Sequence, residues 1–130
     1  MVESIKSSVY LVDASFVLAF LLPDERKEQV NDLFEAFEKG TVGLYSSPLL
    51  PYEVLNTLKT AVAKKRITAA KAIDLGKTFL ELDIRFEELN FLAVFELALR
   101  KKLTVYDASY AWLAGHTKMP LLSFDRALSA

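Results

Sequence analysis

The sequence predicts an α/β fold, a three-layer α/β/α sandwich around a mostly parallel sheet of about four or five strands. Three observations carry that expectation. Val9-Tyr10-Leu11-Val12 is an unbroken apolar run, the mark of a strand buried on both faces. Short apolar runs then alternate with longer stretches whose apolar residues recur at helical spacing, as strand–helix units with right-handed crossovers do. Finally, an aspartate stands just past three of the short runs, at Asp13, Asp107 and Asp125.

Along the chain, the first strand gives way to a short helix over about 14–22, which Pro23 ends. Asp24 is placed to cap a second helix whose core face is Val30, Leu33, Phe34 and Phe37, with Gly40 as its C′ residue. A strand over 42–45 and a loop at Ser46-Ser47-Pro48 follow. The third helix covers about 50–65, apolar through Val54, Leu55, Leu58, Ala61 and Val62 and closed by Lys64-Lys65-Arg66. Thr68 opens a fourth helix to about Leu80, packing through Ala72, Ile73, Phe79 and Leu80. Residues 82–86 read as a strand, and Asn90 caps a fifth helix with Val94, Phe95, Ala98 and Leu99 on its apolar side. A brief strand over 103–106 is expected to end at Asp107, followed by a helix to about Leu113 and Gly115, then a last strand over 121–123 before Asp125. The segments VDASFVLA and YDASYAWLA read as one device used twice, a strand-end aspartate with a serine two residues on.

The 130 residues fit one domain over 1–130, long enough to bury a core. Apolar residues make up 52% of the chain, a surplus that leaves surface for a partner. The longest uninterrupted apolar stretch, Phe16–Leu22, falls far short of the roughly 20 residues that span a bilayer. Glu3 and Lys6 precede any apolar segment, unlike a signal peptide. The chain has no cysteine, which excludes disulfides and thiolate metal sites and fits a reducing cytoplasm. A net charge of −1 gives no general field towards nucleic acid, so contact with RNA has to be local and no DNA contact is expected of this domain.

In a parallel sheet all strand C-termini lie on one edge, so Asp13, Asp107 and Asp125 are expected to converge. Like charges a few ångströms apart raise one another's pKa and repel unless a cation neutralises them. A hard divalent ion, Mg²⁺ or Mn²⁺, held through carboxylate oxygens and water is the usual resolution. Each aspartate taken singly also suits a helix cap or turn. Glu53, in the first turns of the third helix, is a fourth candidate, with Asn56 three residues on along the same face.

LVDASF, PYEVLN, YDASY and LLSFD, in this order over about 120 residues, resemble the motifs of the PIN-domain nucleases. Within that group the likeness is to the small VapC-like toxins of type II toxin–antitoxin pairs. The resemblance implies an α/β/α sandwich, a metal-dependent endoribonuclease, and a homodimer held inactive by an antitoxin protein. It implies an acidic site of Asp13, Glu53, Asp107 and Asp125, with hydroxyls at Ser15 and Ser123 and Asn56 as a helper. Asp13, Asp107 and Asp125 would ligate Mg²⁺ or Mn²⁺, and Glu53 would position or deprotonate the water. Five residues follow Asp125, so its closing helix is expected to be a stub and Asp125 the least firmly held of the four.

Hydrolysis of a phosphodiester needs a more acidic water and a stabilised leaving oxygen, and carboxylate-held divalent ions supply both. The single histidine, His116, follows Gly115 at a helix end and suits the dipole there. Lys59, Lys64–Arg66, Arg100–Lys102 and Arg126 are the cations available for phosphates. Tyr52, Tyr106 and Tyr110 are candidates for stacking on bases, whereas Tyr10 lies inside a strand. The rival readings are a housekeeping RNA-processing nuclease of the same family, an aspartyl-phosphate domain, and a non-catalytic interaction module. No strand-end lysine supports the aspartyl-phosphate reading, and retention of all four acids weighs against the module.

Overall fold

Val9–Val12 forms β1, and it has a parallel partner on each side. The computed structural model describes residues 7–25 and 27–129, so Glu3 and Lys6 lie outside the described residues. Gly43–Ser46 (β2) pairs with one side of β1 in the register Tyr10↔Leu44 and Leu11↔Tyr45. Leu121–Leu122 (β4) pairs with the other, Leu11↔Leu121 and Val12↔Leu122. Arg85–Phe86 (β3) pairs with β2, giving a parallel sheet in the order β3-β2-β1-β4.

This order determines where the helices go. The chain steps from β1 to β2 to β3 in one direction, through α1 (Ala14–Leu21) and α2 (Glu28–Glu38), then α3 (Leu50–Ala63) and α4 (Ala69–Glu81). It returns across the sheet to β4 through α5 (Phe91–Lys101) and α6 (Val105–Thr117), ahead of a short α7 (Arg126–Ser129). Right-handed crossovers in opposite directions put the two sets of helices on opposite faces, the sandwich that the sequence predicts. The burial of β1 agrees: Tyr10 and Val12 join the large core with α1–α4, while Leu11, facing the other way, is also fully buried. A smaller core of Val94, Ala98 and Ala108 joins α5 to α6.

Most boundaries follow local chemistry. Thr68 and Asn90 cap α4 and α5 as expected, accepting from Lys71 N at 3.1 Å and Ala93 N at 3.0 Å. Gly40 takes the left-handed conformation (φ 79°) that ends α2. Asp24 does not cap α2. Pro23–Glu25 instead closes a 3₁₀ turn, Lys27 occupies the N-cap without a side-chain bond, and Asp24 pairs with Arg66 at 2.8 Å.

The expected strand over 103–106 is helix and loop. Thr104 is the N-cap of α6, accepting from Asp107 N at 3.0 Å, so Asp107 lies inside the first helical turn. The apolar and β-branched run Leu103-Thr104-Val105 suits a strand locally, but the threonine hydroxyl serves as a cap and the sheet has four strands among the described residues. The α6 helix also runs on past Leu113 to Thr117. The strand expected over 82–86 shortens to Arg85–Phe86.

The helical faces divide between core and surface. Phe16–Leu22 is largely core, through Phe16, Val17, Leu18, Ala19, Leu21 and Leu22. Ile73 and Leu80 of α4 and Phe95 and Leu99 of α5, expected to pack, are exposed at 50% or more. If the Thr104 hydroxyl starts α6, Thr104→Ala should destabilise the chain by about 1 kcal/mol in urea denaturation, with Thr104→Ser close to neutral. Equal stability of the alanine and serine variants would show that the cap carries nothing.

Candidate active site

Asp13 leaves β1 with an extended backbone (φ −102°, ψ −178°) and is the N-cap of α1. Its carboxylate is almost fully buried and well supplied with donors. Oδ1 accepts from Phe16 N at 3.0 Å and Ser15 Oγ at 2.7 Å, while Oδ2 accepts from Ser123 Oγ. The two hydroxyls are themselves satisfied from the other side: Ser15 Oγ accepts from Phe124 N and Ser123 Oγ from Asp125 N, each at 2.9 Å. The cap reading and the site reading of Asp13 therefore hold together. Ser15 and Ser123 bind the C-terminal segment to the buried aspartate.

Strand order puts this aspartate at a particular place. The chain reverses its direction across the sheet between β1 and β4, and the crevice beyond their carboxyl ends is where open α/β sheets bind ligands. Ser46, at the end of β2, closes the floor by donating to the Val12 carbonyl at 2.6 Å.

The other acids reach the crevice from helix starts. Glu53 is in the first turn of α3 and accepts from the Tyr110 hydroxyl at 2.6 Å. Tyr110, on α6, is 1% exposed, which rules out the base-stacking role considered for it. Burial and the neighbouring Glu53 push its phenol far above the usual range, so it stays a donor. The buried Ser109 donates to the Tyr106 carbonyl at 2.7 Å and lies 3.0 Å from Ser47 Oγ, fastening the start of α6 to the loop before α3. Neither contact is marked in the sequence, since both join residues more than 50 positions apart. Asp107 sits at the start of α6 rather than at a strand end, so VDASF and YDASY place their aspartates differently: one caps a helix, the other lies inside one.

Electrostatics shows that the four acids share one field. Burial raises the pKa of Asp13 first; its three hydrogen bonds oppose this, and the Asp125 charge adds to it. Glu53 is raised by burial, against the Tyr110 hydrogen bond, and by the charges of Asp13, Asp107 and Asp125. Asp107 is raised by burial, by the charge of Asp125 and by a hydrogen bond to it. Asp125 also accepts from Ala127 N at 2.9 Å through Oδ1, holding the short α7.

The donor set fits a hydrated Mg²⁺ or Mn²⁺. Carboxylate oxygens are hard ligands, Asp13 Oδ2 keeps a lone pair beyond the one Ser123 uses, and the acids repel one another without a cation. Among the described residues no group of three or more acids is close enough together to hold a metal ion by itself. Of the remaining sequence candidates, Asn56 is exposed and lines a shallow hollow with Tyr52, Glu53, Thr57 and Tyr106. Tyr52 and Tyr106 are exposed at 77% and 52%, so both rings are open to a partner. Tyr10 is buried, as its strand position implies. Arg66 is engaged with Asp24 and Glu25 at 2.8 and 2.9 Å, and His116 stacks on Trp112 near the end of α6.

Fold and site together describe an α/β protein with an acidic crevice at the switch point of a parallel sheet. A model of the PIN domain matches residues 10–130, and the chain belongs to that family. It is 30% identical over 123 residues to Ribonuclease VapC3 of Pyrobaculum aerophilum, covering 92% of this chain and 91% of that protein. The crystal structure of PAE2754, also from Pyrobaculum aerophilum, superposes with a TM-score of 0.73 at 28% identity, covering 92% of this chain and 81% of that one.

The raised acids set a pH dependence. An acid whose folded pKa lies above its unfolded value contributes stability below the unfolded value and loses it as pH rises through the folded one. Without metal, Asp13, Glu53 and Asp107 should therefore cost stability as pH climbs above the ordinary carboxylate range of 3.8–4.5. In thermal melts with EDTA, Asp107→Asn is expected to gain on wild type as pH rises from 4 to 8. A gap that does not change with pH would show that the acids do not interact.

Proposed function

We propose that this chain is a divalent-metal-dependent endoribonuclease and the toxin of a type II toxin–antitoxin pair. The single observation that carries this reading is the convergence of Asp13, Glu53, Asp107 and Asp125 in one field at the switch point, in a PIN-domain chain. The name of the Pyrobaculum relative, a ribonuclease, supports RNA as substrate.

In this reading Asp13, Asp107 and Asp125 hold Mg²⁺ or Mn²⁺, which when bound acidifies a water and stabilises the leaving oxygen of the phosphodiester. Asp13 is held by three donors and fixed at the end of β1, a rigid position for a ligand. Glu53 holds the attacking water or takes its proton. Its raised pKa brings it nearer the working pH for that task, and Tyr110 holds its carboxylate through Oε1. Tyr52 and Tyr106 stack on bases of a single strand, and Asn56 beside Glu53 donates to the backbone. A housekeeping RNA-processing role would use the same chemistry and differ in its partners.

RNA cleavage should require the metal and fall by orders of magnitude in Asp13→Asn and Asp107→Asn. Asp24→Asn, away from the crevice in the 3₁₀ turn, should leave it unchanged. Asp13→Asn keeps the Oδ1 cap for Phe16 N and removes a charge from the cluster, but its amide no longer accepts from Ser123 Oγ, so its melt without metal is the baseline against which the metal effect is read. At a hundredfold excess of Mg²⁺ over its dissociation constant, wild type gains about 2.7 kcal/mol by mass action and the variant far less. A fluorescent RNA assay run beside thermal melts decides it: cleavage without metal, or a fully active Asp13→Asn, overturns the reading.

Partners follow from surfaces that the monomer leaves uncovered. Phe91, Leu92, Phe95 and Leu99 form an exposed apolar stripe on α5, which suits the homodimer expected of the family. A second apolar hollow between α3 and α4, lined by Leu55, Leu58, Ala72, Ile73, Gly76 and Leu80, suits an apolar helix of an antitoxin. No helix among the described residues is long and apolar enough to cross a membrane, and the cysteine-free composition supports a cytoplasmic setting. Light scattering is expected to give a dimer that Phe95→Glu converts to monomer, and co-expression with the neighbouring open reading frame to give a stable complex. A wild-type monomer at micromolar and higher concentration would remove the first surface, and absence of any co-purifying small protein would favour the housekeeping role.

A further inference from the structure

Asp125 has the least regular structure around it of the four acids, between a two-residue strand and a four-residue helix. What lies beside it is a ring. Phe124 stacks on Phe16 with centroids 5.4 Å apart and planes 9° from parallel. The Lys27 ammonium sits over the Phe124 ring, 3.8 Å from its centroid. Phe16 in turn stacks on Phe34 at 6.3 Å, and Phe34, 1% exposed, also packs against Phe20 at 4.0 Å and Phe37 at 6.2 Å. Phe124 is thus the outer end of an aromatic series rooted in the main core, although the residue is 37% exposed.

The backbone of this segment follows the same path. Phe124 N donates to Ser15 Oγ and Asp125 N to Ser123 Oγ, the two hydroxyls that also hold Asp13. Those hydrogen bonds fix the chain at two atoms, and the ring adds a third, lateral constraint from α1 and the start of α2. The held ring and the two backbone bonds restrain the segment that carries Asp125, the neighbour whose charge adds to burial in raising the pKa of Asp107. A small residue at position 124 would leave Asp125 on a hinge.

We propose that Phe124, gripped by Phe16 and Lys27, is a positioning residue that fixes Asp125 against Asp107 and Asp13. The inference rests on the metal-site reading above and adds to it a residue that touches neither metal nor substrate. It links the start of α2 to the crevice through Lys27, a cation that the sequence does not single out.

The test compares Phe124→Ala, Phe124→Leu, Phe124→Tyr, Lys27→Met and Asp125→Asn. Three readouts are taken: amide exchange over residues 121–129 without metal, Mn²⁺ affinity by calorimetry without RNA, and kcat and KM for RNA cleavage. Phe124→Ala is expected to speed exchange at 124 and 125 and to weaken Mn²⁺ binding about tenfold, in the range for residues that orient ligands. In cleavage it should lower kcat with KM little changed. Lys27→Met should show a smaller loss, and Phe124→Tyr, which keeps the ring, should restore affinity to within about twofold. Phe124→Leu, which keeps apolar bulk without a ring, should fold and still fall short of Phe124→Tyr. The double variant Phe124→Ala/Asp125→Asn should bind Mn²⁺ no more weakly than Asp125→Asn alone, because both changes remove one ligand. Wild-type exchange rates and affinity in Phe124→Ala, or additive losses in the double variant, overturn the positioning role while leaving the site reading intact. A wild type that binds no Mn²⁺ overturns the site reading and the role built on it, and accelerated exchange in Phe124→Ala would then mark the ring as a purely structural clamp.

Discussion

A buried carboxylate with three donors is the constraint on which the rest of this structure depends. Asp13 is out of water at the end of the inner strand, where an ionised side chain is costly unless its oxygens are satisfied. The helix that follows supplies Phe16 N and Ser15 Oγ, and the far end of the chain supplies Ser123 Oγ. Meeting that requirement brings residues more than 100 positions apart together and fixes the pairing of β1 with β4. The crevice follows from that pairing, and Ser46 of β2 closes its floor.

The remaining acids are there because helix starts meet at the same edge. Glu53 and Asp107 each lie in the first turn of a helix, where the dipole favours a negative charge. A role at the helix terminus and a role in the proposed site therefore do not compete, since one position serves both. The cost is mutual repulsion and partial burial, which raise all three resolved pKa values together. Tyr110 and the Ser47–Ser109 contact hold α3 and α6 in that arrangement.

The apolar surplus has a location. It lies on α5 and between α3 and α4, on faces with the same helical period as the core faces. Periodicity states that a stripe exists and not what covers it. Ile73, Leu80, Phe95 and Leu99 therefore read as core in the sequence and are surface in the monomer.

The sequence by itself determined the α/β class, β1, the caps at Asp13, Thr68 and Asn90, the break at Gly40, and the order in which the acids come. These depend on interactions within a few residues: an unbroken apolar run, a hydroxyl or carboxylate at a helix start, a glycine free of a Cβ. Only the tertiary structure decided that Leu103–Tyr106 is not a strand: the segment pairs with none of the four strands, and the Thr104 hydroxyl starts a helix there. It alone joined Tyr110 to Glu53 and Lys27 to Phe124, contacts between distant segments that leave no local pattern. And it alone turned four separate acids into one electrostatic unit, because pKa coupling depends on distance in space and on burial, neither of which is written along the chain.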